Sequence, residues 1–290
     1  MGNSYSFGGT SGTSEIIPIG QILNVPTNYS NSSYFDCNGQ VLPDPYFSSV
    51  KLLLHLDNNV TDSSSSAHTV TNNAAFSSGT YKFGGYSGSF VAQTNNLSIA
   101  SSTDFQMGTG DFTVECWVYI GTLTNTLYTL FDFRPSSSAT AFNMTISSAG
   151  AINVYDGPAS TVYSSASSTF VAGQWNHVAL SVNSRTMRTC YNGSIVATRS
   201  TTSNFTSATN PIGINANAAG TTNNGTNYFI DEFRVTKGVG RYTGSYTVPG
   251  AAFPTTTSSY VSQTAINYFG GVLPNITPST LGTKYTVRSI

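Results

Sequence analysis

The chain has 290 residues, which is enough for one large β domain or two smaller domains. Only 8% of the residues are charged and the net charge is −1, so the chain has no electrostatic field that would attract nucleic acid or an anionic membrane surface. No stretch is apolar enough to span a bilayer, and we therefore expect neither nucleic-acid binding nor membrane insertion.

The N-terminal part of the chain changes character near residue 15. Residues 1–14 are rich in Gly, Ser and Thr without periodicity, a pattern typical of a flexible leader. Residues 15–49 contain two short apolar runs separated by Pro and Gly. This second stretch predicts a small β-rich module or part of one.

From Val50 onwards the pattern becomes regularly all-β. Short apolar runs are separated by clusters of Gly, Ser and Asn, and no long helix is indicated. The clearest runs are VKLLLHL, DFTVECWVYI, AINVYD, QWNHVALSV and NYFIDEFRVT. Such a series of short strands predicts a two-sheet antiparallel sandwich.

The strand predicted over residues 111–120 has two different faces. Alternation places Phe112, Val114, Cys116, Val118 and Ile120 on the core side. The opposite side carries Glu115, Trp117 and Tyr119, a composition that suits stacking against a sugar and hydrogen bonding to it. A loop that covers this face would account for the same residues equally well.

A tight turn is predicted at Asn192-Gly193. The two residues lie between apolar runs, and a two-residue hairpin turn of type I′ needs positive φ at both central positions. Asn and Gly are the residues that tolerate this conformation best, so we expect a β-hairpin here.

The last strand of this region, residues 228–236, places a carboxylate among apolar side chains. Alternation puts Phe229, Asp231, Phe233 and Val235 on one face. An unpaired buried charge costs several kcal/mol, so Asp231 needs backbone donors, a cation partner or a metal ion. Hydrogen bonds from backbone amides and a calcium site are both consistent with this position.

The cysteines indicate a reducing environment. Cys37, Cys116 and Cys190 are too few and too widely spaced for a disulfide scaffold. The N-terminus lacks a basic region followed by an apolar run, so it does not resemble a signal peptide. We therefore expect reduced, packed thiols in a protein made in a reducing cytosol.

Six segments of residues 50–255 carry a resemblance to a known family, and they follow one another in the order typical of that family. They are LLLHLD, YKFGGYSGSF, FQMGTGDFTVECWVY, QWNHVAL, CYNGSIVA and DEFRVTKGVGRYT. In these segments the chain resembles the laminin-G-like, concanavalin A-like jelly-roll family. The resemblance implies a glycan- or protein-binding module, often with one calcium ion. It suggests Asp57 and Asp231 as the calcium ligands, helped by backbone carbonyls around residues 81–84.

The ends of the chain carry a second resemblance. IPIGQILNVPTNYSNSSYFDCNGQVL, residues 17–42, resembles the opening of the bacteriophage tail-collar domain, and VLPNITPSTLGTKYTVRSI, residues 272–290, is similar to the way such domains end. The resemblance implies that residues 15–49 and 256–290 pair as one attachment domain, with the jelly roll inserted between them. Two independent β arms are the alternative. Collar modules usually act as trimers, so a homotrimer is expected.

The segment DEFRVTKGVGRYT looks like those common in bacteriophage structural proteins. The two resemblances imply a non-enzymatic virion protein, assembled in the host cytoplasm, whose terminal segments bind other virion proteins. The sharper prediction is a tail fibre or receptor-contacting protein whose jelly roll binds a host surface glycan. A capsid decoration protein or head fibre is the alternative.

The glycan is expected on loops and on the outer sheet face. Aromatic rings with nearby carboxylate or amide groups supply stacking and hydrogen bonds to sugars. The first candidates are Trp117, Tyr119, Tyr155, Asp156 and Tyr163.

Glycoside hydrolysis is the minor alternative, because jelly rolls also host such enzymes. It requires two carboxylates placed across a cleft. The Glu-x-Asp-x-Glu pattern does not occur, and Glu115 has no acidic residue two positions away. Asp231 and Glu232 are adjacent, so we expect them to point to opposite faces. The sequence therefore favours a binding protein over an enzyme.

Overall fold

Two antiparallel sheets face each other and confirm the predicted all-β sandwich. The leader predicted over residues 1–14 and Cys37 lie outside the described residues. The structure is a computed structural model, and it describes residues 22–26, 34–36, 40–135, 141–206, 211–216, 225–257, 266–267, 270–273 and 283–288.

Most of the described residues form short strands. In chain order they are β1 (Ile22–Pro26), β2 (Tyr34–Asp36), β3 (Val50–Leu54), β4 (Val70–Asn72), β5 (Ala75–Ser77), β6 (Ser87–Phe90), β7 (Leu97–Ile99), β8 (Phe112–Ile120), β9 (Leu127–Asp132), β10 (Phe142–Ser147), β11 (Ile152–Asp156), β12 (Thr161–Ser164), β13 (Trp175–Asn183), β14 (Thr186–Tyr191), β15 (Ser194–Ser200), β16 (Ile212–Ile214), β17 (Tyr228–Lys237) and β18 (Thr283–Arg288). Two 3₁₀ turns lie at Phe47–Ser49 and Thr103–Phe105. Within the described ranges, no helix has the length and apolar character needed to cross a membrane.

The sandwich consists of a larger and a smaller sheet. The larger sheet has the order β15-β14-β13-β8-β17-β6-β5, and β3 pairs with the second half of β17. The smaller sheet has the order β12-β11-β10-β9-β16-β7-β4. Three long strands, β13, β8 and β17, therefore form the centre of the larger sheet.

Aromatic rings fill the space between the sheets. Phe112 in the larger sheet stacks on Phe142 in the smaller sheet with 4.8 Å between ring centroids, and Phe142 stacks on Phe133 at 4.6 Å. Stacked rings of this size bury a large apolar area, which drives the two sheets together. The predicted core face of β8 is confirmed, because all five of its side chains are fully buried: Phe112, Val114, Cys116, Val118 and Ile120.

The two described cysteines, Cys116 and Cys190, are free and buried, as expected. Burial raises the pKa of both thiols well above the usual range. Both therefore stay protonated and act as small apolar side chains.

The strand β17 contains a bulge in its middle. Asp231 lies opposite Trp117 of β8, whereas Arg234 lies opposite Glu115. Three steps along β17 thus match two steps along β8, and one residue of β17 is extra. Glu232, inside the bulge, has a φ of +53°. A bulge of this kind reverses the alternation of side chains along the strand.

The bulge makes two sequence predictions wrong. Asp231 does not share the core face with Phe233 and Val235, because the extra residue lies between them. Asp231 and Glu232 also do not point to opposite faces. Glu232 contacts His55 on the outer side of the sheet, at 2.8 Å.

The two ends of the chain meet in a third sheet. β18 pairs with β1 on one side and with β2 on the other, both antiparallel. Closer to the jelly roll, Val41 and Val272 form a β-bridge, and the Asp44 N–H donates to the Thr256 carbonyl at 2.9 Å. The chain therefore enters and leaves the sandwich side by side.

The predicted type I′ turn between β14 and β15 is confirmed. Asn192 and Gly193 have φ values of +43° and +87°. The turn is packed against the segment that follows β17, because a Cβ on Gly193 would collide with the Tyr246 carbonyl oxygen.

Gly193→Ala is expected to destabilise the protein more than Gly173→Ala. Both glycines have positive φ, so either substitution carries backbone strain on the order of 1–3 kcal/mol. At Gly173 the added Cβ would meet nothing within 4 Å. Thermal unfolding should show a melting temperature several degrees lower for Gly193→Ala. Equal melting temperatures would contradict the packed turn.

Candidate functional site

Part of the outer face of the larger sheet is covered by the chain that follows β17. Tyr246 clusters with Cys190 of β14, and Phe253 clusters with Leu53 of β3. Residues 241–254 therefore cross the sheet from one side to the other. This cover separates a buried part of the outer face from a part that reaches solvent.

Four charged side chains are buried beneath this cover. Arg234 donates to Asp44 at 2.9 Å and to Glu115 at 2.8 Å, and Arg241 donates to Asp44 at 2.7 Å. Each of the four residues is at most 4% exposed. Two carboxylates thus neutralise two guanidinium groups, and we call these four residues the buried clasp.

The second oxygen of Glu115 extends the clasp. It accepts a hydrogen bond from the Tyr242 hydroxyl at 2.6 Å and lies 3.2 Å from His177 Nε2, while His177 Nδ1 lies 2.8 Å from the Tyr246 hydroxyl. Burial alone would raise the pKa of Glu115, but Arg234 and His177 hold it well below the usual range. Glu115 therefore stays ionised.

The clasp has no room for a substrate. Glu115 and His177 are fully buried. The cavity that borders Asp44, Arg234 and Arg241 has room for a few water molecules only. The carboxylate, imidazole and phenol groups of this region therefore serve the fold.

Asp231 lies beside the clasp, under the loop of residues 81–86. Its Oδ2 accepts hydrogen bonds from the backbone N–H groups of Lys82 and Phe83 at 2.7 and 3.1 Å. Burial raises the pKa of Asp231 to about 7, and the carboxylates of Glu232 and Asp57 add to the rise. Hydrogen bonds from backbone amides, one of the two alternatives predicted for Asp231, therefore satisfy one of its two carboxylate oxygens.

The other oxygen of Asp231 fits a cation. Asp231 Oδ1 and Asp57 Oδ1 are both buried and have no hydrogen-bond partner among the described residues. A buried unpaired carboxylate oxygen calls for an ion or a water molecule. The carboxylate of Asp57 also fills the space that a Cβ on Gly84 would take, so the 81–86 loop holds it in place.

The donor set at this point consists of oxygen atoms. In the described part of the chain, no three His, Cys, Asp or Glu side chains converge on a metal position. A cation between Asp57 and Asp231 would thus take its other ligands from backbone carbonyls and water, a set that suits calcium.

The 81–86 loop also covers Trp117. For this residue, the alternative that a loop covers the outer face of β8 is therefore correct. Lys82 Nζ lies 4.1 Å from the centroid of the indole, and the Phe83 ring packs against it edge-on at 6.1 Å. Trp117 is 3% exposed. It does face outward, as predicted, but a sugar cannot reach it.

One step along the strands, three aromatic rings are only half-buried. Trp175 of β13 and Phe229 of β17 both lie directly opposite Tyr119 of β8. Their ring centroids lie 5.8 and 6.1 Å from that of Tyr119. We call these three residues the aromatic row. Of these three residues, only Tyr119 is among the glycan contacts predicted from the sequence.

Two other predicted glycan contacts, Asp156 and Tyr163, lie on the inner face of the smaller sheet. Asp156 is fully buried and accepts hydrogen bonds from the hydroxyls of Thr201 and Ser203 at 2.9 and 2.6 Å. Tyr163 packs against the core, and its hydroxyl is buried. Asp156 thus links the edges of the two sheets, and Tyr163 is half-buried with its hydroxyl turned inward.

The fifth predicted residue, Tyr155, lies on the outer face of the smaller sheet. It is half-buried, and the Arg134 guanidinium lies 5.0 Å from its ring centroid. Tyr119 and Tyr155 are therefore on opposite sides of the sandwich. The structure does not bring the five predicted residues together into one surface.

The sequence profile of the concanavalin A-like lectin/glucanases superfamily matches residues 91–239, just over half of the chain. The chain belongs to this superfamily. A search of curated protein sequences found no match.

Solved structures of similar fold are mostly binding domains. The binding domain of Paraclostridial mosquitocidal protein 1 is 11% identical, with a TM-score of 0.52 over 67% of this chain and 50% of that one. The receptor binding domain of botulinum neurotoxin D is 14% identical, with a TM-score of 0.52 over 67% and 50%. This chain thus spans about half the length of the toxin domains.

A third structure is covered almost completely. Domain 4 of AbnA, an extracellular arabinanase of family GH43 from Geobacillus stearothermophilus, was solved in complex with arabinotriose. It is 16% identical, with a TM-score of 0.50 over 69% of this chain and 94% of that one. At these identities the likeness of all three structures shows the fold alone.

Asp44→Asn is expected to lower the free energy of unfolding by about 3–5 kcal/mol at neutral pH. In this variant the two buried guanidinium groups of Arg234 and Arg241 would share a single carboxylate, that of Glu115. Burial raises the pKa of Asp44, but Arg241 and Arg234 lower it more, so the pKa lies below its usual value. A lowered folded-state pKa stabilises the protein above the unfolded-state value of about 3.9, and this contribution disappears as the pH falls through the folded-state pKa. Urea unfolding should show the difference between the two proteins shrinking below about pH 4.

Asp111→Asn is the matched control. It makes the same charge change at a half-buried carboxylate that accepts hydrogen bonds from Ser184 N–H and the Asn183 side chain. We expect a smaller loss of stability than for Asp44→Asn. A difference between wild type and Asp44→Asn that stayed constant down to pH 2 would contradict the ion-pair role of Asp44.

Proposed function

We propose that this chain is a non-enzymatic bacteriophage virion protein, a tail fibre or receptor-contacting protein whose jelly roll binds a glycan on the host surface. The observation that carries the proposal is the path of the chain. The two ends pair in one small sheet, and the sandwich lies between them as a single insertion. This arrangement suits a base that attaches to the particle and a domain that projects from it.

The terminal sheet is the proposed attachment site for other virion proteins. The tail-collar resemblance covers the stretches that contain β1, β2 and β18, and these strands pair with one another. Their pairing supports one attachment domain over two separate arms. A homotrimer built on this domain remains part of the proposal.

Membership of the concanavalin A-like lectin/glucanases superfamily is consistent with carbohydrate recognition as the role of the jelly roll. The similar structures carry the names of toxin binding domains and of an arabinanase domain bound to a trisaccharide. The state of the acidic side chains also favours binding over hydrolysis. Glu115 is held by Arg234, and Glu232 is held by His55 and the Phe253 N–H.

Calcium is the cofactor that we propose for this domain, with Asp57 and Asp231 as its side-chain ligands. Each residue has one buried oxygen without a partner in the described residues. When bound, calcium would neutralise two neighbouring carboxylates and fix the 81–86 loop.

Calcium is expected to raise the melting temperature of the wild type, because a ligand that binds only the folded state stabilises it, by about 2.7 kcal/mol at 100 times Kd. Gly84→Ala should abolish this rise, since its Cβ would displace the carboxylate of Asp57. Gly85→Ala is the matched control, because it has positive φ and no neighbour within 4 Å of the added Cβ. Equal wild-type melting temperatures with calcium and with a chelator would contradict the proposal.

The purified full chain is expected to be retained on an array of bacterial surface polysaccharides, and an antibody against it should label the tails of virions from an infected culture. Retention follows from sugar-binding side chains on a rigid sheet. No retention on any glycan would contradict glycan binding. Antibody signal spread over the heads would instead support a capsid decoration protein and contradict the tail-fibre role.

A further inference from the structure

We propose that the aromatic row, Trp175, Tyr119 and Phe229, is the surface that binds the glycan, and that the ligand is an uncharged oligosaccharide lying across β13, β8 and β17. This inference rests on the proposed function, because it gives that function a site. It concerns a part of the outer face that lies beside the covered Trp117 and away from the buried clasp.

The three rings are held in a fixed arrangement by the sheet. Each is a cross-strand neighbour of the next, and neighbouring strands lie about 4.8 Å apart, so the row extends roughly 10 Å across the sheet. The Tyr119 ring plane is tilted by 56° against that of Trp175 and packs edge-to-face against that of Phe229 at 64°, so each ring is supported from the side. Each ring is half-buried. The surface is thus formed before a ligand arrives.

The surroundings of the row favour an uncharged ligand. The exposed Asn227 lies at the same end of β17 as Phe229, and the next cross-strand neighbour of Phe229, Ser89, is uncharged and buried. Lys82, a charged side chain of the adjoining 81–86 loop, has its ammonium over the Trp117 ring. Ring faces bind the C–H groups of a sugar, and a neighbouring amide such as that of Asn227 binds its hydroxyls. The row offers both kinds of group without a net charge.

The size of the row argues for a sugar rather than a protein partner. A stable protein interface buries about 800 Å² on each partner. Three half-buried rings within roughly 10 Å on three strands provide much less. Tyr155, the competing aromatic residue on the opposite sheet, is a single ring that already contacts the Arg134 guanidinium. The row is therefore the better site for stacking.

The test measures binding of the full chain to neutral and to uronic-acid-containing oligosaccharides by isothermal titration calorimetry. Trp175→Ala and Phe229→Ala should each weaken binding of the neutral ligands about tenfold or more. Tyr155→Ala is the matched control, with one half-buried ring removed from the other sheet, and its affinity should stay within about twofold of wild type.

Tryptophan fluorescence gives a second reading that does not depend on the alanine variants. The chain has two tryptophans, and Trp117 is buried, so iodide quenching reports mainly on Trp175. A saturating neutral oligosaccharide should protect wild-type fluorescence from iodide. Trp175→Phe keeps a ring at this position and should retain binding while losing the fluorescence response.

Each outcome bears on the proposal in a distinct way. Wild-type binding that survives Trp175→Ala and Phe229→Ala would overturn the site while leaving the proposed function in place. Loss of binding in Tyr155→Ala alone would move the site to the other sheet. Binding restricted to acidic oligosaccharides would overturn the uncharged ligand. No binding to any oligosaccharide, together with no retention on the polysaccharide array, would overturn both the site and the proposed function.

Discussion

The pairing of two buried carboxylates with two buried guanidinium groups constrains the whole arrangement. Asp44 precedes the sandwich, Glu115 and Arg234 lie on its central strands, and Arg241 follows it. A buried charge without its partner costs several kcal/mol. The sandwich can therefore reach its stable form only when the segments before and after it pack on the outer face. Two of the 11 basic and two of the 12 acidic residues of the chain belong to this one cluster.

The bulge in β17 sets which side chains of this strand point into the core and which point to the outer face. Before the bulge Ile230 points into the core, and after it Phe233 does the same. Asp231 and Arg234 are thereby both turned outward, one toward the 81–86 loop and the other toward the clasp. The loop then covers Trp117, while Tyr119, two residues further along β8, stays accessible. The division of the outer face into closed and open parts thus follows from one inserted residue.

Local patterns were sufficient to predict most strands, the turn at Asn192 and the core face of β8. These features depend on residues close together in the chain. The face of Asp231 was predicted wrongly because the bulge residue, Glu232, is not a glycine and carries no sign of its positive φ. The aromatic row was missed because Trp175 and Phe229 become neighbours of Tyr119 only through strand register. Register between distant strands is set by the packing of the whole sandwich.

The side-by-side course of the chain at Asp44 and Thr256 defines the unit that evolution or an engineer could exchange. A cut at the first strand of the sandwich, Val50, would transplant Arg234 and Arg241 without Asp44, one of the two carboxylates that neutralise them. The transferable cassette must instead begin before Asp44 and end beyond Phe253. Its borders lie where the two passing segments share backbone hydrogen bonds, so a new binding domain could be grafted onto the same base through a single paired junction.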